Sequence, residues 1–146
     1  CKIFASNSRL DTIQAIVAKH SIKNINKITS KRIFNSQYLD KKLSLNTEIS
    51  IPIRSKTCKQ VFHIYVIKAL RRNALQKYLI KKGIDAKIHY PIPMHLQPAA
   101  KKYGYKLGDF PITEQTCKKI ISLPVHEFIN KKQLDYMIKT IKEFYN

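Results

Sequence analysis

Hydrophobic positions first recur at helical spacing in NSRLDTIQAIVAKH, where Leu10, Ile13 and Val17 fall on one face. The pattern predicts a helix capped by Asn7 or Ser8, with Asp11 in its first turn. A second helical stretch, about residues 24–44, is less regular and carries Ile25, Ile28, Phe34, Tyr38 and Leu43. The polar run SLNTEISIPIRSKTCKQ, broken by Pro52, then interrupts the pattern and marks a boundary between residues 1–45 and 46–146.

Beyond it the pattern changes period. VFHIYVIKAL is apolar, β-branched and aromatic, so it predicts a largely buried strand. RRNALQKYLIKKG follows as a helix with Leu75, Tyr78 and Leu79 on one face, lysines in its last turn and Gly83 as a left-handed cap. IDAKIH predicts a short strand. FPITEQTCKKIISLP predicts a helix entered through Pro111 and ended before Pro124. NKKQLDYMIKTIKEFY predicts a closing helix, with Asn130 and Gln133 as a capping box and Leu134, Met137, Ile138 and Ile141 as its core stripe. The order predicts an α+β fold, a short sheet with helices packed on it.

Composition narrows the class. A chain of 146 residues suits one domain with a core that needs no disulfides, and 44% hydrophobic content argues against disorder. No apolar run is long enough for a membrane span, and the opening CKIFASNSRLD turns polar too early for a signal peptide. Cys1, Cys58 and Cys117 are odd in number and far apart, so they read as reduced thiols of a cytoplasmic protein. The chain does not open on methionine, which fits a piece of something longer.

Charge is the loudest feature: 28 Lys+Arg against 9 Asp+Glu, a net +19. Such a field attracts polyanions or an anionic small substrate. The lysines come as scattered pairs at expected loops and helix ends rather than as one stripe, so a lysine coat explains them as well.

Motifs exclude several chemistries. With three glycines the chain holds no phosphate-cradling glycine loop. No zinc spacing joins the cysteines, and His89 and His95 lack a third ligand, so no metal site is assigned. The stretch KKGIDAKIHYPIPMHLQP is the more informative one. Pro91 and Pro93 restrict their own φ and push Tyr90 and Ile92 towards extended geometry. A loop so fixed can hold His89, Tyr90 and His95 for a ligand at low entropic cost. It can equally lay His89 and Tyr90 over a sheet edge, with His95 capping a helix through Gln97 and Pro98. In SNSRLD, Asn7 and Arg9 either bind a phosphate or serve as a cap and a solvated cation.

In this order and spacing, SNSRLDTIQA, VFHIYVIKA, KKGIDAKIHYPIPMHLQP, GDFPITEQ and ISLPVH resemble the C-terminal part of the pyridoxal-phosphate-dependent nucleotide-sugar aminotransferases of the DegT/DnrJ/EryC/StrS type. The resemblance covers essentially the whole chain. It departs at Asn73, where the family usually has an acidic residue, and at Ala5-Ser6, which replace a glycine region. It implies the small C-terminal domain of a fold-type I enzyme, with residues 1–45 linking to a large domain. It places Asn7 and Arg9 near the cofactor phosphate or the substrate of the neighbouring subunit, across a homodimer interface. It sets His89, Tyr90 and His95 at the mouth where the nucleotide sugar enters.

The same resemblance implies pyridoxal 5'-phosphate, a nucleoside-diphosphate sugar and an amino-acid donor, glutamate. The Schiff-base lysine and the cofactor cradle belong to the family's large domain, so no catalytic residue is assigned in this chain and it is not expected to be catalytic alone. Two rivals remain: a basic nucleic-acid-binding module, with tyrosines for stacking and lysines for phosphates, and a non-catalytic dimerisation partner. The first needs exposed aromatics, whereas Tyr65 and Tyr78 fall on expected core faces.

Overall fold

A computed structural model describes residues 10–146 of the chain. The first element, α1 (Thr12–Leu43), is one continuous helix of 32 residues. At 1.5 Å per residue it is about 48 Å long. The expected pair of helices is therefore corrected to one. The stretch between them contains neither proline nor glycine, so nothing in the backbone stops it. Asp11 stands at the N-cap, where its N–H donates to Gln14 Oε1 at 3.3 Å. The caps expected at Asn7 and Ser8 lie outside the described residues.

Three antiparallel strands follow, β1 (Ile49–Ser50), β2 (Tyr65–Ala69) and β3 (Ile120–Leu123), in the order β1-β2-β3. Ile49 faces Ala69, and Tyr65 faces Leu123. Along β2 the buried Tyr65, Ile67 and Ala69 alternate with half-buried Val66 and Lys68, as a pleated central strand requires. Two expectations change here. The strand begins at Tyr65 rather than Val61, because Phe62 takes a left-handed φ of 50° that breaks extended geometry. The connector also donates the short strand β1, held by pairing that no local pattern announces.

Helix α2 (Arg72–Lys81) returns across the sheet, and Gly83 closes it with φ 77°, the left-handed cap expected. IDAKIH is not a strand: it makes a single bridge, Lys87 to Ser122. After the 3-10 turns Met94–Leu96 and Pro98–Tyr103, α3 (Pro111–Lys119) is shorter than expected. The following Ile-Ile-Ser-Leu becomes β3, because two β-branched residues gain more from pairing with β2 than from another helical turn. Arg72, almost fully buried, fixes this junction: Nη2 donates to Cys117 O and Nη1 to Ile120 O, both at 3.0 Å. Its burial lowers the guanidinium's pKa.

The closing helix α4 (Lys131–Tyr145) follows the sequence pattern closely. Gln133 N–H donates to Asn130 Oδ1 at 3.0 Å, and Asn130 N–H to Gln133 Oε1 at 2.9 Å. Leu134, Met137, Ile138 and Ile141 enter a single core with Leu39 and Leu43 of α1, Leu75 and Leu79 of α2, and the buried face of the sheet. The α+β expectation is borne out. No helix among the described residues is long and apolar enough to cross a membrane.

Candidate functional site

The loop after the Lys87–Ser122 bridge wraps the open edge of β3 and faces α3. His89 opens it, its Nδ1 2.9 Å from Ser122 Oγ, which ties the ring to the sheet edge. The His89–Tyr90 peptide is cis, and the two rings meet edge-on at 5.7 Å. Tyr90 remains 64% exposed. Three residues on, Pro93 leads into a 3-10 turn that carries Met94 and His95.

His95 does not cap the next turn. Its Nε2 lies 3.0 Å from Glu114 Oε1, and the two side chains are 8% and 9% exposed. The same carboxylate oxygen accepts the backbone N–H of Gly108 at 2.9 Å and of Phe110 at 3.3 Å. Gly108, at φ 101°, supplies the left-handed bend that turns its amide towards Glu114. Burial raises the Glu114 carboxyl's pKa, but the bonds from Gly108, His95 and Phe110 outweigh burial and hold it below the ordinary value. The Phe110 ring lies tilted against His95 at 4.8 Å, and Tyr105 meets Phe110 edge-on at 5.4 Å.

His89, Tyr90, His95 and Phe110 border a cavity of about 420 Å³ whose walls also include Thr113 and Cys117. The three loop residues singled out from the sequence thus meet at one place. Asn7 and Arg9 lie outside the described residues. Glu114 was missed as a functional residue, although it sits inside GDFPITEQ. An acid in the first turn after a helix-opening proline was the available signal. Apart from the histidines the wall carries no basic side chain, and among the described residues no group of three histidine, cysteine or acidic side chains could hold a metal ion. The arrangement suits a ligand with a flat or apolar face and a few hydrogen-bonding groups.

Known proteins share both sequence and fold. A "pleiotropic regulatory protein" of Geobacillus stearothermophilus is 32% identical over 145 residues, 98% of this chain and 39% of its own. The dTDP-3-amino-3,4,6-trideoxy-alpha-D-glucose transaminase of Streptomyces venezuelae is 29% identical over 140 residues, 95% of this chain and 37% of its own. The crystal structure of S. venezuelae DesV in complex with a ketimine intermediate superposes with a TM-score of 0.88 at 27% identity, over 95% of this chain and 38% of that one. The chain therefore spans less than two fifths of these relatives. The profile of one family matches residues 1–142, from before α1 into the last turn of α4. Sequence, fold and cavity loop all lie within that match, and the chain belongs to the DegT/DnrJ/EryC1/StrS aminotransferase family.

Proposed function

We propose that this chain is the substrate-facing C-terminal part of a pyridoxal-phosphate-dependent enzyme. The complete enzyme moves an amino group from an amino-acid donor, glutamate, to a keto-sugar carried on a nucleoside diphosphate, for amino-sugar and polysaccharide synthesis. One observation carries the reading: His89, Tyr90 and His95 converge on a single cavity within a stretch similar to sugar transaminases from end to end. In this role the loop forms the entrance for the sugar nucleotide. The domain's positive charge favours the approach of its diphosphate.

The described residues do not fit the cofactor by themselves. Neither lysine nor arginine lines the cavity, so it offers no amine for a Schiff base and no permanent cation for the phosphate. Both belong to the rest of the enzyme in this reading, with residues 1–45 as the link to it. Asn7 and Arg9 are assigned to the cofactor phosphate of the neighbouring subunit of a homodimer. The free thiols Cys58 and Cys117 favour a reducing compartment, and we place the enzyme in the cytoplasm.

Tyr65 is fully buried and Tyr78 packs half-buried against Phe144 at 5.4 Å, so neither serves the nucleic-acid reading. That reading keeps exposed aromatics such as Tyr90, Tyr105 and Phe128, and the family match is what favours the aminotransferase reading. The test is the intact mass of the natural protein together with its visible absorbance. A mass well above 17.0 kDa with the absorbance of a lysine-bound cofactor is expected. A colourless protein of 17.0 kDa would remove catalysis and leave the non-catalytic dimerisation partner. In the complete enzyme Asn7→Ala should weaken cofactor retention more than stability; unchanged retention would sink that assignment.

A further inference from the structure

Helix α1 carries a face that the other described residues leave open. Because α1 does not break near Ser21, Lys19, Lys23, Lys27 and Lys31 fall four residues apart on one continuous helix. They form a row about 18 Å long. Alongside the row lie Ile13, Ile16, Val17 and Ile25, 49–77% exposed. The face leads into a groove of about 620 Å³, lined by Lys27, Ile28 and Lys31 together with Phe128, itself 82% exposed. Past the groove the same helix enters the core through Leu39 and Leu43.

Like charges four residues apart on a helix repel, and α1 offers these lysines no acid. Its one carboxylate, Asp40, is held by Arg54. Among the described residues no ion pair reaches Lys19, Lys23 or Lys27. An exposed apolar strip edged by unpaired cations suits a partner of the opposite pattern. A second copy of this chain would bring the same lysines and the same want of acids on this face. The relatives point to another occupant: this chain matches 39% and 37% of their length, and the larger part lies outside the match.

We propose that this face of α1 seats the N-terminal part of the enzyme's own subunit. The seated surface is apolar at its centre and sets carboxylates opposite Lys19, Lys23 and Lys27. Tethering within one chain keeps that surface at high local concentration, so modest contacts suffice to hold it. This rests on the reading that the chain is the C-terminal part of a longer enzyme, and adds where the two parts meet and with what charge.

Zero-length carbodiimide coupling tests it, because the reagent joins an amine only to a carboxylate that it touches. In the complete enzyme Lys19, Lys23 and Lys27 should couple to aspartates or glutamates of the N-terminal part, with the Lys139–Glu143 pair of α4 as internal control. Enzyme assembled from mixed 14N and 15N subunits should give couplings of a single isotope, as contacts within one subunit do. Lys23→Glu combined with Lys27→Glu sets acid against acid and should cost the coupling at Lys19 as well.

Couplings of mixed isotope would overturn the inference, since they put the neighbouring subunit on this face. Lys19 coupling as before in the double variant would overturn the charge match. If the α1 lysines stay uncoupled while Lys139 couples to Glu143, the longer enzyme stands and this seat falls. A natural protein of 17.0 kDa removes the N-terminal part itself, so the reading falls first and the inference with it.

Discussion

Helices α1 and α4 are both rich in isoleucine and lysine, and use them differently. In its 15 residues α4 buries Leu134, Met137, Ile138, Thr140 and Ile141. Helix α1 is twice as long, yet it buries only Asn35, Ser36, Leu39 and Leu43, all near its C-terminal end. Earlier along α1, Ile13, Ile16, Val17 and Ile22 are 59–77% exposed. Both helices show apolar periodicity. It states that a helix can bury a face; it does not say which stretch finds a partner in this domain. The first half of α1 is held by propensity and backbone bonds, and α4 by packing.

The sharpest way to break this comparison is to truncate both helices. Leu134→Ala or Ile141→Ala should cost about 2–5 kcal/mol in urea unfolding, because each leaves a cavity in the core. Ile13→Ala or Ile22→Ala should stay within about 0.5 kcal/mol, as exposed substitutions do. Equal costs would mean that the N-terminal half of α1 packs on the domain.

Near its C-terminal end α1 does engage the domain. Arg54 grips Asp40 with two bonds of 3.0 Å, from Nε to Oδ2 and from Nη2 to Oδ1, and the Tyr65 hydroxyl donates to Oδ1 at 2.7 Å. Burial, then the bond to Asp40, pushes the Tyr65 phenol's pKa well above its ordinary value, so the hydroxyl stays a donor. Asp40→Ala leaves that hydroxyl buried without an acceptor and should cost about 1–3 kcal/mol. A double-mutant cycle with Tyr65→Phe checks it; additive costs would deny the coupling.

Caps give a smaller contrast. Asn130→Ala removes a cap from a helix on which the core depends and should cost about 1 kcal/mol. Asp11→Ala acts on a helix start that is exposed among the described residues, and its effect on global unfolding should stay within about 0.5 kcal/mol. Amide exchange along α1 should show the same gradient, with protection rising towards Leu39 and Leu43.

What was legible in the sequence follows the same division. Helix α4 could be read completely, since its capping box and stripe are local. The loop was legible because prolines bracket its aromatic and imidazole groups. Strand β3 was not, because Ile120 and Ile121 follow α3 without punctuation and only β2, more than fifty residues earlier, makes them a strand. The short β1 was hidden for the same reason. The continuity of α1 was misread because its apolar pattern loosens near Ser21 while its backbone has no reason to stop. Glu114 stayed hidden because its three bonds come from residues four, six and nineteen positions away.

The smallest expected effect sets the cavity apart from both helices. Glu114 is held ionised by Gly108, His95 and Phe110, so its folded pKa lies below the ordinary value of 4.5. A depressed carboxyl pKa contributes stability that is fully present above 4.5 and is lost as pH falls through the lower folded value. Acid unfolding below that point should therefore begin with release of the loop that carries His95, read as loss of the ring contact between His95 and Phe110. The Glu114→Gln variant keeps an acceptor for the two amides but has no proton to gain. Its stability should vary less with pH over that acid window than the parent's, while the two curves run parallel near neutrality. Identical acid limbs would place the acid sensitivity elsewhere in the domain and leave Glu114 as a neutral tie.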